Sequence, residues 1–303
     1  MLQTSLNILN VKNSVIPVFA NHETFHPRFG WLKKGFDAAK KNSGIFLQDD
    51  APVRLGVGKN MVRSIRYWCT AFKIIDKNSL PTEFGEKLLG NDGWDPYLED
   101  TASLWLLHWY LLKPTCEAAA WYYIFNILRD VEFTREDILA GLKEYSQKLN
   151  KDVAESSLIK DTTCILRMYA SQDFSNSNTP IEDSIDCPFT ALGLIKNIGK
   201  NYQFKIGQKS NLPPSIIVAI CLEYASWVSQ ETKTIPISRL LYDEGSPGML
   251  FKLTENVLCA AIETVAKRFT YIMISDSAGL IQLSFNQQPE ILSQQILEQY
   301  YHN

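Results

Sequence analysis

The stretch from Asp50 to Ile75 constrains the fold more strongly than any other part of the chain. From Lys59 onward its apolar residues recur at helical spacing, which predicts one amphipathic helix with a buried stripe. The stripe consists of Met61, Val62, Ile65, Trp68, Cys69, Phe72 and Ile75. The opposite face carries cations and hydroxyl groups and has no acid, and its residues are Lys59, Arg63, Arg66, Tyr67 and Thr70.

The residues ahead of this helix favour a helix-turn-helix. Ala51 to Leu55 is a short apolar piece, and Gly56 to Gly58 predicts a tight turn because glycine tolerates unusual backbone angles. A helix, a turn and a second helix with a basic outer face is the pattern of a DNA-binding helix-turn-helix. We therefore predict that the basic face binds duplex DNA. The alternative is a surface helix whose charges only keep it hydrated.

The charge distribution along the chain supports a DNA partner at the N-terminal end. Residues 1–75 contain eleven Lys plus Arg and four Asp plus Glu, a balance of +7. The whole chain carries −3, so the remainder carries −10 (−3 minus +7). Such asymmetry predicts an N-terminal surface that meets phosphates. The alternative is that the two parts neutralise each other within the fold.

The first domain is predicted to be a winged helix over residues 1–98. A second amphipathic helix, Trp31 to Lys41, is expected to pack against the first. Three further cations near it are predicted to contact phosphates. The apolar piece Phe84 to Leu89 lies between turn signals, where a winged helix places its small hairpin, the wing. The three cations are Arg28, Lys33 and Lys34.

The predicted fold class is mainly α, with two domains after the winged helix. Residues 99–186 are predicted to be a helical domain with a polar linker at its end, 171–186, rich in Ser, Asn and Asp. Its aromatic residues have Leu, Ile and Ala as neighbours, which indicates core packing. Residues 187–303 are predicted to be a winged helix-like domain with a short β-hairpin, Phe269 to Ile274 and Leu280 to Phe285.

His22, Glu23 and His26 match the HExxH pattern of zinc peptidases. That mechanism needs both imidazoles on one helical face and the glutamate over a zinc-bound water. Pro27 would end such a helix, and no third ligand is marked downstream, so a metallopeptidase is a remote alternative. The same three residues are the candidate catalytic cluster. A divalent metal ion is expected as a cofactor only if the protein is a nickase, and its identity is left open.

Other patterns exclude several classes of site. The acidic run Asp92, Asp95, Glu99 and Asp100 offers ligands for a divalent ion, but its Gly-Trp-Asp-Pro context favours a turn into a helix N-terminus. The six cysteines form no CxxC pair, which indicates free thiols in a reducing cytoplasm. No apolar run approaches the roughly 20 residues of a membrane span. We therefore expect a cytoplasmic protein without a membrane partner.

Five strings spread over nearly the whole chain carry a resemblance to a known family. They are HETFHPRFGWLKKG (22–35), LGVGKNMVRSIRYWC (55–69), CPFTALGLI (187–195), SPGMLFKLTEN (246–256) and DSAGL (276–280). These strings resemble the prokaryotic domain-of-unknown-function family 4007. The resemblance implies a place in bacterial DNA phosphorothioation and phage-defence cassettes, beside a cysteine desulfurase, an ATPase and a PAPS-reductase-like protein. It also implies similarity to the DNA-nicking component of Ssp-type cassettes.

The residues and the resemblance together predict a DNA-binding protein of DNA sulfur modification and phage defence. In this hypothesis it nicks one strand of duplex DNA. The alternative is a non-catalytic DNA-binding adaptor or regulator that recruits the sulfur-transfer partners. The resemblance implies no catalytic residues, so the choice between these hypotheses is left open.

Overall fold

A computed structural model describes residues 15–170, 187–228, 232–277 and 279–302. The predicted mainly helical class is confirmed in these residues. The chain divides into two compact units, 14–204 and 205–303. The first unit contains residues of all three predicted domains, whose division stays a prediction. The predicted linker, 171–186, lies outside the described residues.

The first unit is built from short and medium-length helices and one small sheet. Its three strands, β1 (Glu132–Phe133), β2 (Ile195–Ile198) and β3 (Asn201–Phe204), are antiparallel in the order β1-β3-β2. Two 3₁₀ turns, Ile45–Leu47 and Pro188–Leu192, and a π-helical turn, Tyr123–Ile127, complete the described elements. The helices are α1 (Trp31–Lys41), α2 (Ala51–Leu55), α3 (Lys59–Ala71), α4 (Glu83–Leu89), α5 (Thr101–Leu112), α6 (Ala119–Tyr122), α7 (Arg135–Lys148) and α8 (Glu155–Tyr169).

The predicted helix-turn-helix elements are present at the predicted place. Helix α2 ends at Gly56 in the left-handed conformation, and α3 begins after Gly58. The helix stops at Ala71, short of the predicted end, and Lys73 has a φ of 58°. Helix α1 packs on α3 as predicted. A Cβ on Gly35 would lie 2.5 Å from Cys69 Sγ, so this close approach of the two helices requires glycine.

The predicted wing at Phe84–Leu89 is wrong, because this segment is helix α4. The side chain of Thr82 accepts a hydrogen bond from the Gly85 N–H and caps the helix. Glu83 and Glu86 in the first turn also favour the helix N-terminus. The cap and these charges outweigh the short apolar pattern that suggested a strand.

The predicted aromatic core of the first unit is confirmed. Trp105, Trp109 and Trp121 are each at most 1% exposed. His108 is fully buried among them, and its Nδ1 lies 2.8 Å from the Tyr169 hydroxyl oxygen. Side chains of this size remove much apolar surface from water and provide a rigid base for the helices around them.

The second unit consists of helices packed on one three-stranded sheet. Helix α9 (Pro214–Val228) packs against α12 (Glu255–Ala266) and α13 (Pro289–Tyr301). In the sequence, α9 and α12 are separated by β4 (Thr234–Pro236), α10 (Ile237–Tyr242) and α11 (Pro247–Phe251). The predicted hairpin is confirmed as β5 (Ile272–Ser277) and β6 (Leu280–Phe285). The sheet order is β4-β6-β5, so β4 pairs with the second hairpin strand.

A buried lysine ties the start of the second unit to the turn after α11. Lys209 is 5% exposed, and its Nζ donates hydrogen bonds to the carbonyl oxygens of Gly207, Phe251 and Lys252 at 2.6–2.8 Å. Burial lowers the pKa of Lys209 from 10.5 to about 7. The folded protein therefore favours the neutral amine more than the unfolded chain does.

Replacing Lys209 with Met should lower the free energy of unfolding by about 2 kcal/mol, because three buried carbonyls lose their donor. Above pH 7 the unfolded chain binds more protons at Lys209 than the folded protein does. The stability of the wild type relative to Lys209→Met should therefore rise between pH 7 and pH 10.5. Urea unfolding over this range measures both effects.

Lys200→Met is the matched control, because Lys200 is exposed in the turn between β2 and β3. It should leave stability nearly unchanged at every pH. A Lys209→Met protein as stable as the wild type would show that the three contacts contribute nothing.

Candidate functional site

The basic face of α3 forms one wall of a cleft of about 940 Å³ in the first unit, here called the α3 cleft. All five polar side chains predicted for this face line it. The structure therefore brings this predicted set together on one surface. Asn60 and Val62 of the same helix also line the α3 cleft. The five predicted residues are Lys59, Arg63, Arg66, Tyr67 and Thr70.

The other walls of the α3 cleft come from five separate parts of the first unit. One is the turn of residues 20–25, here called the histidine turn, which lines the cleft within 20–24, and another is the segment 46–52. The remaining parts contribute Lys77, Glu117 and, from α8, Lys160. Lys77 and Lys160 were missed by sequence reasoning. Each is a single exposed lysine in an ordinary polar context, so no local pattern marks it.

Among the described residues that line the cleft, five are cationic and three are acidic. Arg63 forms an ion pair with Glu23 at 3.4 Å, and Lys77 forms one with Glu117 at 3.4 Å. Both cations are more than half exposed, so each pair adds little to stability. Within the described part of the chain, Lys59 and Lys160 make no ion pair, which leaves the α3 cleft with a positive potential. The acids are Glu23, Asp49 and Glu117.

The remaining α3 side chains are held in place by hydrogen bonds. Arg66 donates through Nε to Ser79 Oγ at 3.2 Å. The Tyr67 hydroxyl donates to the Glu117 carbonyl oxygen at 3.2 Å. Burial, and then the negative charge of Asp161, raise the pKa of the Tyr67 phenol well above its usual range. Tyr67 is therefore a neutral donor and is not a base at physiological pH.

The three cations predicted around α1 do not line the α3 cleft. Arg28 lies over the Trp31 ring at 5.3 Å, a cation–π contact. Lys33 pairs with Asp37 at 2.8 Å, and Lys34 donates to the Leu55 carbonyl oxygen at 2.9 Å. Each side chain thus has a partner within the fold, and its contact with phosphate stays a prediction.

The predicted catalytic cluster is divided between the core and the cleft. Glu23 lines the α3 cleft, whereas His22 and His26 are buried, at 0% and 6% exposed. His22 Nε2 lies 2.9 Å from Asp161 Oδ1 on α8. Burial raises the pKa of Asp161, and the hydrogen bond from His22 opposes that shift. The Asp161 carboxylate also accepts the Ala20 N–H at 3.0 Å.

The histidine turn is attached to α3 as well as to α8. The Phe25 carbonyl oxygen accepts a hydrogen bond of 3.0 Å from Trp68 Nε1 on the buried side of α3. His22 stacks against the Trp68 ring at 6.1 Å between centroids and meets the Trp121 ring edge-on at 5.6 Å. The turn therefore connects the two helices that carry four of the five cations of the cleft.

The peptidase alternative fails on backbone geometry. Residues 21–24 form a turn, and Glu23 and Thr24 have positive φ of 51° and 76°, so the HExxH residues do not share a helical face. The described residues contain no group of three or more His, Cys, Asp or Glu placed to hold a metal ion.

The acidic run before α5 is a turn and helix cap. Asp95 is 7% exposed and accepts hydrogen bonds from the Glu99 and Asp100 N–H groups and from Ser103 Oγ. Asp100 accepts the Ala102 N–H at 2.8 Å as the N-cap of α5. Asp95 and Asp100 therefore stabilise a turn and a helix N-terminus, as their sequence context predicted.

His22→Ala should lower the free energy of unfolding by about 2–4 kcal/mol, because it creates a cavity and removes the partner of a buried carboxylate. Asp161→Asn should cost less than Asp161→Ala, because the amide oxygen can still accept from Ala20. Urea unfolding measures these differences. His302→Ala, which removes an exposed histidine, is the control and should have little effect. A stable His22→Ala protein would contradict this role.

The fold and the α3 cleft define a mainly helical protein with a cleft that is lined by five cations and three acids. Residues 19–301 match the family described as protein of unknown function (DUF4007), and the chain belongs to this family. The chain is also similar to two solved structures, described as the SspB crystal structure and the magnesium ion-bound SspB crystal structure. Both are 35% identical to it, with a TM-score of 0.89.

The similarity extends over nearly the whole of both chains. The magnesium-bound SspB structure matches over 96% of this chain and 90% of its own, and the other over 97% and 91%. No curated protein sequence matches the chain. In the part of the chain that the structure describes, every helix is too short or too polar to cross a membrane.

Proposed function

We propose that this protein is a DNA-binding component of a bacterial DNA phosphorothioation and phage-defence system, and that it binds DNA in the α3 cleft. The observation that carries the proposal is the cleft itself. Five cations from α3, α8 and the Lys77 turn line one concave surface. Such a surface attracts a polyanion, and phosphates would replace the weak ion pairs of Arg63 and Lys77. Similarity to SspB supports the assignment to the Ssp type of system.

The N-terminus of α3 adds to the attraction for phosphate. Gly58 is the N-cap and provides no side-chain hydrogen bond, and the first turn has no acid. The free backbone N–H groups and the positive end of the helix dipole favour an anion there. The positive charge of Lys59 in the first turn is unfavourable next to the positive end of the helix dipole. A bound anion would offset this repulsion.

We propose that the second unit is a winged helix-like domain. The order α9, β4, α10, α11, α12, β5, β6 and the pairing of β4 with β6 support this arrangement. The exposed residues of α12 and its end have mixed charge, Glu255 and Glu263 with Lys267 and Arg268. Mixed charge suits protein docking better than phosphate binding. The proposed partners are the cysteine desulfurase, ATPase and PAPS-reductase-like proteins of the cassette.

Replacing Arg63 and Arg66 together with Ala should weaken DNA binding more than about tenfold at low salt, because two phosphate contacts are lost. The difference should shrink as salt is added. Fluorescence anisotropy with a labelled duplex measures both. Lys143→Ala with Lys148→Ala is the control, because these exposed α7 lysines do not line the α3 cleft. Equal affinity of the Arg63 and Arg66 variant and the wild type would contradict the proposal.

Nicking of supercoiled plasmid distinguishes a nickase from an adaptor. We expect nicked circles with Mg²⁺ or Mn²⁺ and none with a chelator. Among the predicted catalytic residues, Glu23 lines the cleft, so Glu23→Gln should reduce nicking while DNA binding is retained. Glu86→Gln, outside the cleft, is the control. Binding without nicked circles would favour the non-catalytic adaptor.

A further inference from the structure

The shape of the α3 cleft indicates the form in which DNA is bound. A recognition helix enters the major groove of a duplex as a convex element with its side chains projecting. The basic side chains of α3 instead line a concave surface, and the histidine turn, the segment 46–52 and Lys160 form its other walls. We propose that the α3 cleft holds one unpaired DNA strand, taken from a locally opened duplex. This inference rests on the proposed function and deepens it.

The volume of the cleft suits an unpaired strand. About 940 Å³ lies at the upper end of the range for sites that enclose small organic ligands, about 300–1,000 Å³. A few nucleotides of one unpaired strand are comparable in size to such a space. The cations are arranged accordingly, with Arg63 and Arg66 on α3, Lys160 on α8 and Lys77 after α3. Cations on separate walls can follow one backbone through the cleft.

The uncharged lining of the cleft suits bases that have left their stack. Leu47 is 75% exposed and lies on the wall formed by segment 46–52, beside Pro52. An exposed apolar side chain among cations offers a contact for the face of a base. Two amide side chains in the lining, Asn21 and Asn60, can donate to and accept from base edges.

Exposed Val53 provides a control within the same part of the chain. It is 84% exposed, in α2, but it does not line the cleft. Leu47 and Val53 are thus two exposed aliphatic residues of which one faces the proposed strand. Comparing the two substitutions therefore distinguishes a contact with the DNA strand from a general effect of surface hydrophobicity.

The test compares three labelled DNAs of one sequence on the full-length protein: a single strand, a blunt duplex and a duplex with a central unpaired bubble. At about 50 mM salt the single strand and the bubble should bind at least tenfold more tightly than the blunt duplex. Lys160→Gln should weaken single-strand binding by about threefold to tenfold, and Leu47→Ala by about threefold. Lys143→Gln and Val53→Ala should match the wild type.

The outcomes separate this inference from the proposed function. Equal binding of the blunt duplex and the single strand, with Arg63 and Arg66 required for both, would overturn the inference that the cleft holds an unpaired strand. The proposal that the protein binds DNA would still stand. Single-strand binding that is insensitive to both Lys160→Gln and Leu47→Ala also overturns it. If no DNA binds, or if the Arg63 and Arg66 variant binds like the wild type, the proposed function fails first and the inference with it.

Discussion

The candidate site depends on one buried hydrogen bond, between His22 on the histidine turn and Asp161 on α8. Without it, a carboxylate and an imidazole would be buried without each other, at a cost of several kcal/mol. The same turn accepts a hydrogen bond from Trp68 of α3 through the Phe25 carbonyl. Two helices that are distant in sequence are thereby held on either side of one turn. Glu23, Lys160 and the α3 cations meet across the cleft because of this arrangement.

This constraint changes the meaning of the HExxH pattern. His22 positions the wall of the cleft from inside the core, while Glu23, the next residue, faces the solvent of the cleft. Residues 21–24 form a turn and not a helix, so these adjacent side chains need not share one face. A short motif thus contributes one structural residue and one candidate functional residue.

The ion pairs within the cleft are weak because their cations are exposed. Arg63 and Lys77 each have an acidic partner at 3.4 Å, and such contacts exchange readily with solvent or with another anion. By contrast, Lys33 donates hydrogen bonds to Asp37 on the same helix and to the Leu89 carbonyl oxygen. Lys34 donates to the Leu55 carbonyl oxygen. Among the predicted DNA-binding cations, Lys59 and Arg63 in the cleft are therefore less constrained than Lys33 and Lys34. Their position makes a polyanion the natural ligand of this surface.

The sequence by itself determined the α3 helix, its buried stripe and its basic face, because helical periodicity is a local property of neighbouring residues. It also determined the C-terminal hairpin and the aromatic core. The wing predicted at Phe84 to Leu89 was wrong because a short apolar run between turn signals does not distinguish a strand from a short capped helix. Only the tertiary structure decided that Lys77 and Lys160 join the cleft and that His22 pairs with Asp161, since these contacts link residues far apart in sequence. Such pairings depend on how whole helices pack, which no local pattern records.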